Sequence, residues 1–332
     1  MQRGAAMTSA KAALVMHSDC GRHDTGWNHP EHQGRLPAIV DAIYKDTPAL
    51  LDDLLQVEAV PATREQILRV HTHQHIDAVQ SQSALAELQG HTLVVESDTG
   101  ISGATWDAAL AAAGCATTAV ALVMNGDAHT AFALARPPGH HALPDRVMGF
   151  CFLNNVAIAA RALQAEHGIK RVLIIDWDVH HGNGTQDIFY ADPSVYYISL
   201  HLSPHYPGTG MEYERGVGAG IGATLNVPLP HGTTVGQFRA AFTAALNEAL
   251  ASFDPEFILV SAGYDCLRGD PLGGLPLERQ DMHALTTELM AIAEVRTNRR
   301  MVLLLEGGYA PGPVAAAVVD TIRALVELPP RN

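Results

Sequence analysis

Apolar and polar positions along this chain come in blocks. Six short, nearly continuous apolar runs read as buried strands: Ala12–Met16, Ala131–Ala135, Val172–Ile175, Val195–Ser199, Phe257–Ser261 and Met301–Leu305. Longer segments of helical character lie between them: Ser102–Met124, Asn155–His167, Thr234–Phe253, Arg279–Val295 and Pro313–Leu328. Their ends carry stop and start signals. Gly126 and Gly168 suit the left-handed position just past a helix, and Thr234 suits an N-cap. Apolar strands separated by helices predict a parallel sheet covered on both faces. No repeat, low-complexity linker or break in composition interrupts the pattern. The expectation is therefore α/β: a single domain over 12–328 with a central, mainly parallel β-sheet flanked by helices on both faces. Residues 1–11 are expected to be a disordered tail.

Polar residues wait at the C-terminal end of four of these strands. Ala131–Ala135 leads into Arg136-Pro137-Pro138-Gly139-His140-His141, and Val172–Ile175 into Asp176-Trp177-Asp178-Val179-His180. Phe257–Ser261 leads into Ala262-Gly263-Tyr264-Asp265, and Met301–Leu305 into Glu306-Gly307-Gly308-Tyr309. Ligands of open parallel sheets bind beyond the carboxyl ends of the strands, so the four clusters are expected to converge on one pocket.

The chemistry of these clusters is that of a catalytic metal site. In an extended chain Asp176, Asp178 and His180 share one face, with Trp177 and Val179 on the other. Buried charges of this kind are paired or bound to metal. Asp178, His180 and Asp265 as three ligands leave a position open for water or substrate, as catalytic zinc requires. The same donors would also suit Fe(II), Mn(II) or Co(II). A bound metal activates water and polarises a carbonyl. His140 and His141 would supply general base and acid, with Asp176 and Asn183 fixing their tautomers. Tyr309, after two glycines, could donate to a developing oxyanion. Together these parts describe metal-assisted amide hydrolysis.

Composition narrows the picture further. Hydrophobic residues make up 47 % and charged residues 17 %, enough for a large core. A net charge of −14 argues against direct nucleic-acid binding and is compatible with a cationic substrate. The four cysteines, Cys20, Cys115, Cys151 and Cys266, are scattered and read as buried thiols. Arg3 and the apolar run after it are too short a signal for secretion. The Ala-rich 102–124 stretch, interrupted by Thr105, Asp107, Thr117 and Thr118, reads as a packed helix and not a membrane span. A cytoplasmic protein with no membrane partner is expected. His71-Thr72-His73-Gln74-His75 looks like a metal tract but lies far from the other clusters. The glycine-rich 216–222 stretch lacks the context of a dinucleotide loop.

At these residues the chain resembles the histone deacetylase family, which includes bacterial deacetylase-like amidohydrolases. The matching pieces are His29-Pro30-Glu31 with Arg35, Arg136 to His141, Gly149 to Asn155, Asp176 to Gln186, Ser199-Leu200-His201, Tyr206 to Gly210, Ser261 to Asp265, Asp270 to Gly274 and Leu305 to Tyr309. The resemblance runs in order from about residue 17 to 320 and implies the arginase–deacetylase fold. By it, Asp178, His180 and Asp265 hold zinc. His141 is the general base and then acid, and His140, paired with Asp176, its electrostatic partner. Tyr309 polarises the acyl carbonyl. Gly149, Phe150 and Tyr206 wall a narrow channel, Asp98 grips the substrate backbone at the rim, and Asp176 and Ser199 form a structural potassium (K+) site.

Asn183 stands where class I eukaryotic members carry Asp, which places the chain on the class II side. Tyr309, where some class II members carry His, implies deacetylase activity. Leu272 stands where some acetylpolyamine enzymes carry Glu to meet a second ammonium, so the substrate expected is an acyl-lysine protein or peptide. An acetylpolyamine or another small acyl amide is the alternative substrate. A binuclear manganese ureohydrolase would need further carboxylates where Asn183 and the histidine pair stand. A non-enzymatic binding module would be expected to lack ligands or Tyr309. Oligomeric state is left open.

Overall fold

The computed structural model describes residues 9–331 with the exception of residue 51. In chain order its strands are β1 (Ala10–Met16), β2 (Leu54–Glu58), β3 (Leu93–Glu96), β4 (Thr99–Ile101), β5 (Ala128–Ala133), β6 (Val172–Asp176), β7 (Val195–Leu202), β8 (Thr224–Leu229), β9 (Phe257–Ala262) and β10 (Met301–Leu305). Its helices are α1 (Arg35–Leu50), α2 (Arg64–Leu68), α3 (His73–Gln89), α4 (Thr105–Asn125), α5 (Asn155–His167), α6 (Asn183–Phe189), α7 (Val235–Ser252), α8 (Arg279–Arg296) and α9 (Pro311–Leu325).

Eight strands form one sheet in the order β2-β1-β5-β10-β9-β6-β7-β8, and every neighbouring pair is parallel. β3 and β4 form a separate antiparallel pair. The central strands β6, β9 and β10 are buried at every residue, as their unbroken apolar sequences require. α4 packs on α5 and covers β1, β5 and β10, whereas α9 packs with α1 and α8 and meets β1 and β5. Helices thus cover both faces of a single α/β domain.

Local signals match the expected ends. Asn154 caps α5 by accepting from the Ala157 N–H, and Gly168 follows it with φ +69°. Thr234 makes a reciprocal capping box with Gln237 at the start of α7. α4 has the length and apolar character of a spanning helix, yet 67 % of its most apolar window is buried inside the protein. β1 begins at Ala10, so residues 10 and 11 belong to the sheet and not to the expected tail. Residues 1–8 of that tail, Arg3 included, lie outside the described residues.

The sequence pattern does not announce α1, α2, α3, α6, β2, β3, β4 or β8. β2 and β8 are the edge strands; β2 buries only Leu54, which blurs its apolar run, and β8 carries Asn226 and Pro228, the proline being tolerated at an edge. The largely polar α3 has only five buried residues in seventeen, so its helical pattern is faint.

Candidate active site

The four strands with polar sequels are consecutive in the sheet: β5, β10, β9, β6. Because all are parallel, their C-terminal ends lie along one edge, and the loops that follow meet there. β6 ends at Asp176, and the next residues bend instead of continuing extended. The expected common face of Asp176, Asp178 and His180 is therefore replaced by a division of labour. Asp178 and His180 turn towards Asp265, while Asp176 stays with His140. Trp177 and Val179 pack into the core opposite.

Asp178, His180 and Asp265 bring one ligand atom each within 4.8 Å of one another, and all three are buried. His180 Nδ1 stands 2.9 Å from Asp178 Oδ1 and 3.3 Å from Asp265 Oδ2. The remaining carboxylate oxygens are oriented by main-chain donors: Gly307 N–H to Asp178 Oδ2 at 2.9 Å and Val179 N–H to Asp265 Oδ1 at 2.8 Å. Asp265 Oδ2 is buried without a hydrogen-bond partner. Burial and the neighbouring Asp178 push the Asp265 carboxyl up to about 7. Burial pulls the His180 imidazole down, but the two carboxylates outweigh it and push it up to about 10. Two buried carboxylates and an imidazole that seeks positive charge are the donor set of a divalent cation, which would take the place of that proton. Gly307 permits the close approach: a Cβ there would lie 2.1 Å from Asp265 Oδ2.

The two adjacent histidines have different partners. His140 Nδ1 donates to Asp176 Oδ2 at 3.0 Å, and that oxygen also accepts from Tyr197 Oη at 3.0 Å. His141 Nδ1 donates to Asn183 Oδ1 at 2.7 Å. Burial pulls His140 down, but Asp176 and Asp178 overcome it and hold this imidazole well above its ordinary value. His141 is held well below, by burial and by the positive His140 and His180. The two rings are thus pushed in opposite directions, His140 towards the charged form and His141 towards the neutral base. Asp176 and Ser199 are in-register neighbours on β6 and β7; both Asp176 oxygens already accept protein donors, and Ser199 Oγ bonds His201 Nδ1 at 2.9 Å.

Above this cluster opens a pocket of about 330 Å³. Asp98, His141, Gly149, Phe150, His180, Tyr206 and Leu272 line it, joined by His205, Pro271 and Gly273. Every residue expected to bind substrate is therefore in one cavity. Gly149 has φ +54° and a Cβ there would sit 2.4 Å from His141 Cδ2, so only glycine fits. Phe150 also lies in the left-handed region at φ +68°, a strain that aims its ring into the pocket wall and is held by Phe150 N–H donating to Thr99 Oγ1 at 3.2 Å. Tyr206 approaches His141 edge-on, with ring centroids 5.2 Å apart. Tyr309 stands edge-on to Phe150 at 6.0 Å. Burial and the nearby Asp265 push its phenol well up, so it keeps the proton an oxyanion donor needs.

The support beneath the site went unread in the sequence. Glu31 lies between Arg35 and Arg136, all three fully buried. Arg35 donates to the carbonyls of Glu306 at 2.7 Å and Gly308 at 2.6 Å, and its guanidinium lies 5.1 Å from the Tyr309 ring centre. Glu306 Oε2 accepts from the N–H groups of Gly139 and His140 at 2.7 and 3.2 Å. Glu31 and Arg35 lie four apart and flank a helix start, and the third member, Arg136, comes from 105 residues away, so no local pattern joins the three.

The sequence pattern of the histone deacetylase domain matches residues 29–325. The chain is similar to histone deacetylase 10, chloroplastic, of Oryza sativa subsp. japonica: 40 % identical over 313 residues, covering 91 % of this chain and 70 % of the relative. It is similar to a probable deacetylase of Archaeoglobus fulgidus, 37 % identical, covering 90 % and 81 %. A histone deacetylase-like amidohydrolase of Pseudomonas aeruginosa is 36 % identical, covering 91 % and 81 %. The crystal structure of the HDA15 HD domain superposes with a TM-score of 0.88 at 35 % identity, covering 97 % of this chain and 89 % of that one.

Proposed function

Because the chain belongs to the histone deacetylase family, we propose that it is a zinc-dependent amidohydrolase that removes acetyl, or another short acyl group, from Nε-acyl-lysine. The observation that carries this reading is the buried Asp178, His180 and Asp265 cluster beside a pocket that His180 and His141 line, with His140 pushed towards its charged form and His141 towards its neutral one. Zinc held by Asp178, His180 and Asp265 would supply an activated water and polarise the acyl carbonyl. Fe(II), Mn(II) or Co(II) suit the same donors.

The chain's own groups do the rest. His141 has its Nδ1–H committed to Asn183, so Nε2 offers the lone pair that accepts a proton from water and later passes it to the leaving amine. His140, charged beside Asp176, stabilises negative charge as it develops. Tyr309 donates its O–H to the oxyanion. Phe150 and Tyr206 wall the aliphatic stem of the substrate, Gly149 lets it approach His141, and Asp98 takes the rim. Leu272 lines the pocket with an apolar side chain and offers no partner to a second ammonium, which favours acyl-lysine over a polyamine. A structural K+ beside Asp176 and Ser199 and a cytoplasmic location belong to the same proposal.

The test is acetate release from an acetyl-lysine peptide by the zinc-loaded protein, with Asp178→Ala as the blank. The expected result is turnover that falls by about 10³-fold or more in the blank, the scale of losing metal and its water together. A zinc-bound wild type without turnover overturns the acyl-lysine assignment and directs the assay to acetylpolyamines.

A further inference from the structure

His205 lines the pocket beside Tyr206 yet has no part in the chemistry above. Its ring lies face to face with His180, centroids 4.9 Å apart and planes 16° from parallel. Its Nε2 is 2.9 Å from the carbonyl oxygen of Leu272. A carbonyl only accepts, so Nε2 carries the proton and donates. The Leu272 N–H donates to Asp270 Oδ1 at 2.9 Å. The other oxygen of that carboxylate accepts from Tyr309 N–H at 2.6 Å and Ala310 N–H at 3.2 Å. A continuous path of contacts therefore runs round the pocket wall, from the ring of His180 through His205, Leu272 and Asp270 to the backbone of Tyr309.

The three segments on this path follow three different strands, β7, β9 and β10. Strand pairing ends before it reaches them, and Gly273, Gly274, Gly307 and Gly308 leave the last two without local stiffness. Their mutual placement must come from cross-links between loops. His205 is such a link from the β7 side, and it touches a metal-ligand candidate with its face and the loop that carries Asp270 with its edge.

We propose that His205 is a positioning residue: its ring fixes the plane of His180, and its Nε2–H fixes the Tyr309 hydroxyl through Leu272 and Asp270. This rests on the deacetylase reading above. Two variants separate the two contacts. His205→Phe keeps an aromatic ring over His180 and removes the donor. It is expected to lower kcat about 5- to 10-fold, the weight of one hydrogen bond, with KM and zinc affinity little changed. In a Tyr309→Phe background the same substitution should have no further effect on kcat, because the hydroxyl it positions is gone. His205→Gln keeps a donor and removes the stack. It is expected to weaken Co(II) binding about tenfold and to shift the ligand-field absorption of the Co(II) protein, readouts that need no turnover.

Equal losses from His205→Phe in both backgrounds overturn the proposal, as does a rise in KM alone. An unchanged Co(II) affinity and spectrum in His205→Gln overturns it too. A wild type that binds one Co(II) yet releases no acetate from the acetyl-lysine peptide sinks the acyl-lysine reading instead, and the Co(II) comparison still decides on His205.

Discussion

Two histidine-rich regions of this molecule share a residue type and have opposite roles. In the pocket, His140 and His180 face carboxylates, which raise both imidazoles, while His141 between them is driven neutral. In the His71–His75 tract the partners are main-chain groups. His71 Nδ1–H donates to the Leu143 carbonyl at 3.0 Å, and its Nε2 accepts from the Asn154 N–H at 2.9 Å. His75 Nε2–H donates to the Phe152 carbonyl at 2.7 Å, and the two rings stack at 4.8 Å. His73 points to solvent. Among the described residues the tract is no metal cluster; Asp178, His180 and Asp265 form the one such group. Burial without a carboxylate pushes His71 down to about 3, so it is a fixed neutral connector. The tract serves the pocket indirectly, because the loop it ties down carries Gly149 and Phe150. A buried imidazole's partner, more than its depth, sets whether it does chemistry or holds a loop.

The sharpest way to break this contrast is to remove one histidine from each side. His141→Ala should lower kcat/KM by about 10³-fold, the worth of a general base, while leaving the thermal midpoint nearly unchanged. A loss below tenfold would take the base role away from His141. His71→Ala should do the reverse. It strands the Leu143 carbonyl and the Asn154 N–H, and should cost about 3 kcal/mol in denaturant unfolding with a much smaller effect on kcat. Full stability combined with lost metal would instead make the tract a ligand site.

A smaller effect sharpens the same point. His71 has a folded value of about 3, below the ordinary 6.5 of an unfolded chain, so the unfolded state takes up the proton first. Its contribution is complete above pH 6.5 and is lost as pH falls towards 3. His23 and His201, also held near 3, and His181, near 4, act in the same direction, all four chiefly through burial. His71→Gln, which cannot titrate, should flatten the acid loss of stability by about 1.4 kcal/mol between about pH 7.5 and pH 5.5. Unfolding curves at the two pH values read this directly, and parallel losses in both proteins would refute it.

Particular elements show how far the sequence could be read. α5 and β10 have the expected bounds because each has a strong local cause: an Asn cap and a left-handed glycine for one, five consecutive apolar residues for the other. Glycine, tyrosine and carboxylate placements after the central strands were legible for a similar reason. Parallel strands deliver whatever follows them to one edge. His205, Asp270 and the Glu31–Arg35–Arg136 triad were not legible as a unit, since apart from the local Glu31–Arg35 and Asp270–Leu272 bonds their links span tens to more than two hundred residues. No local pattern announces a partner so distant.

By itself the sequence determined the parallel sheet, the edge where chemistry gathers, and the ligand and histidine types, because periodicity and strand direction are local properties. Only the tertiary structure decided that the chain bends after Asp176, so that Asp176 does not share a face with Asp178 and His180. Only it supplied the surroundings of each ring: carboxylates that raise His140, burial and charged neighbours that lower His141, and main-chain partners that hold His71. Those outcomes depend on which charges burial brings within a few ångströms of each ring. That distance is set by loops from different strands, where no local rule operates.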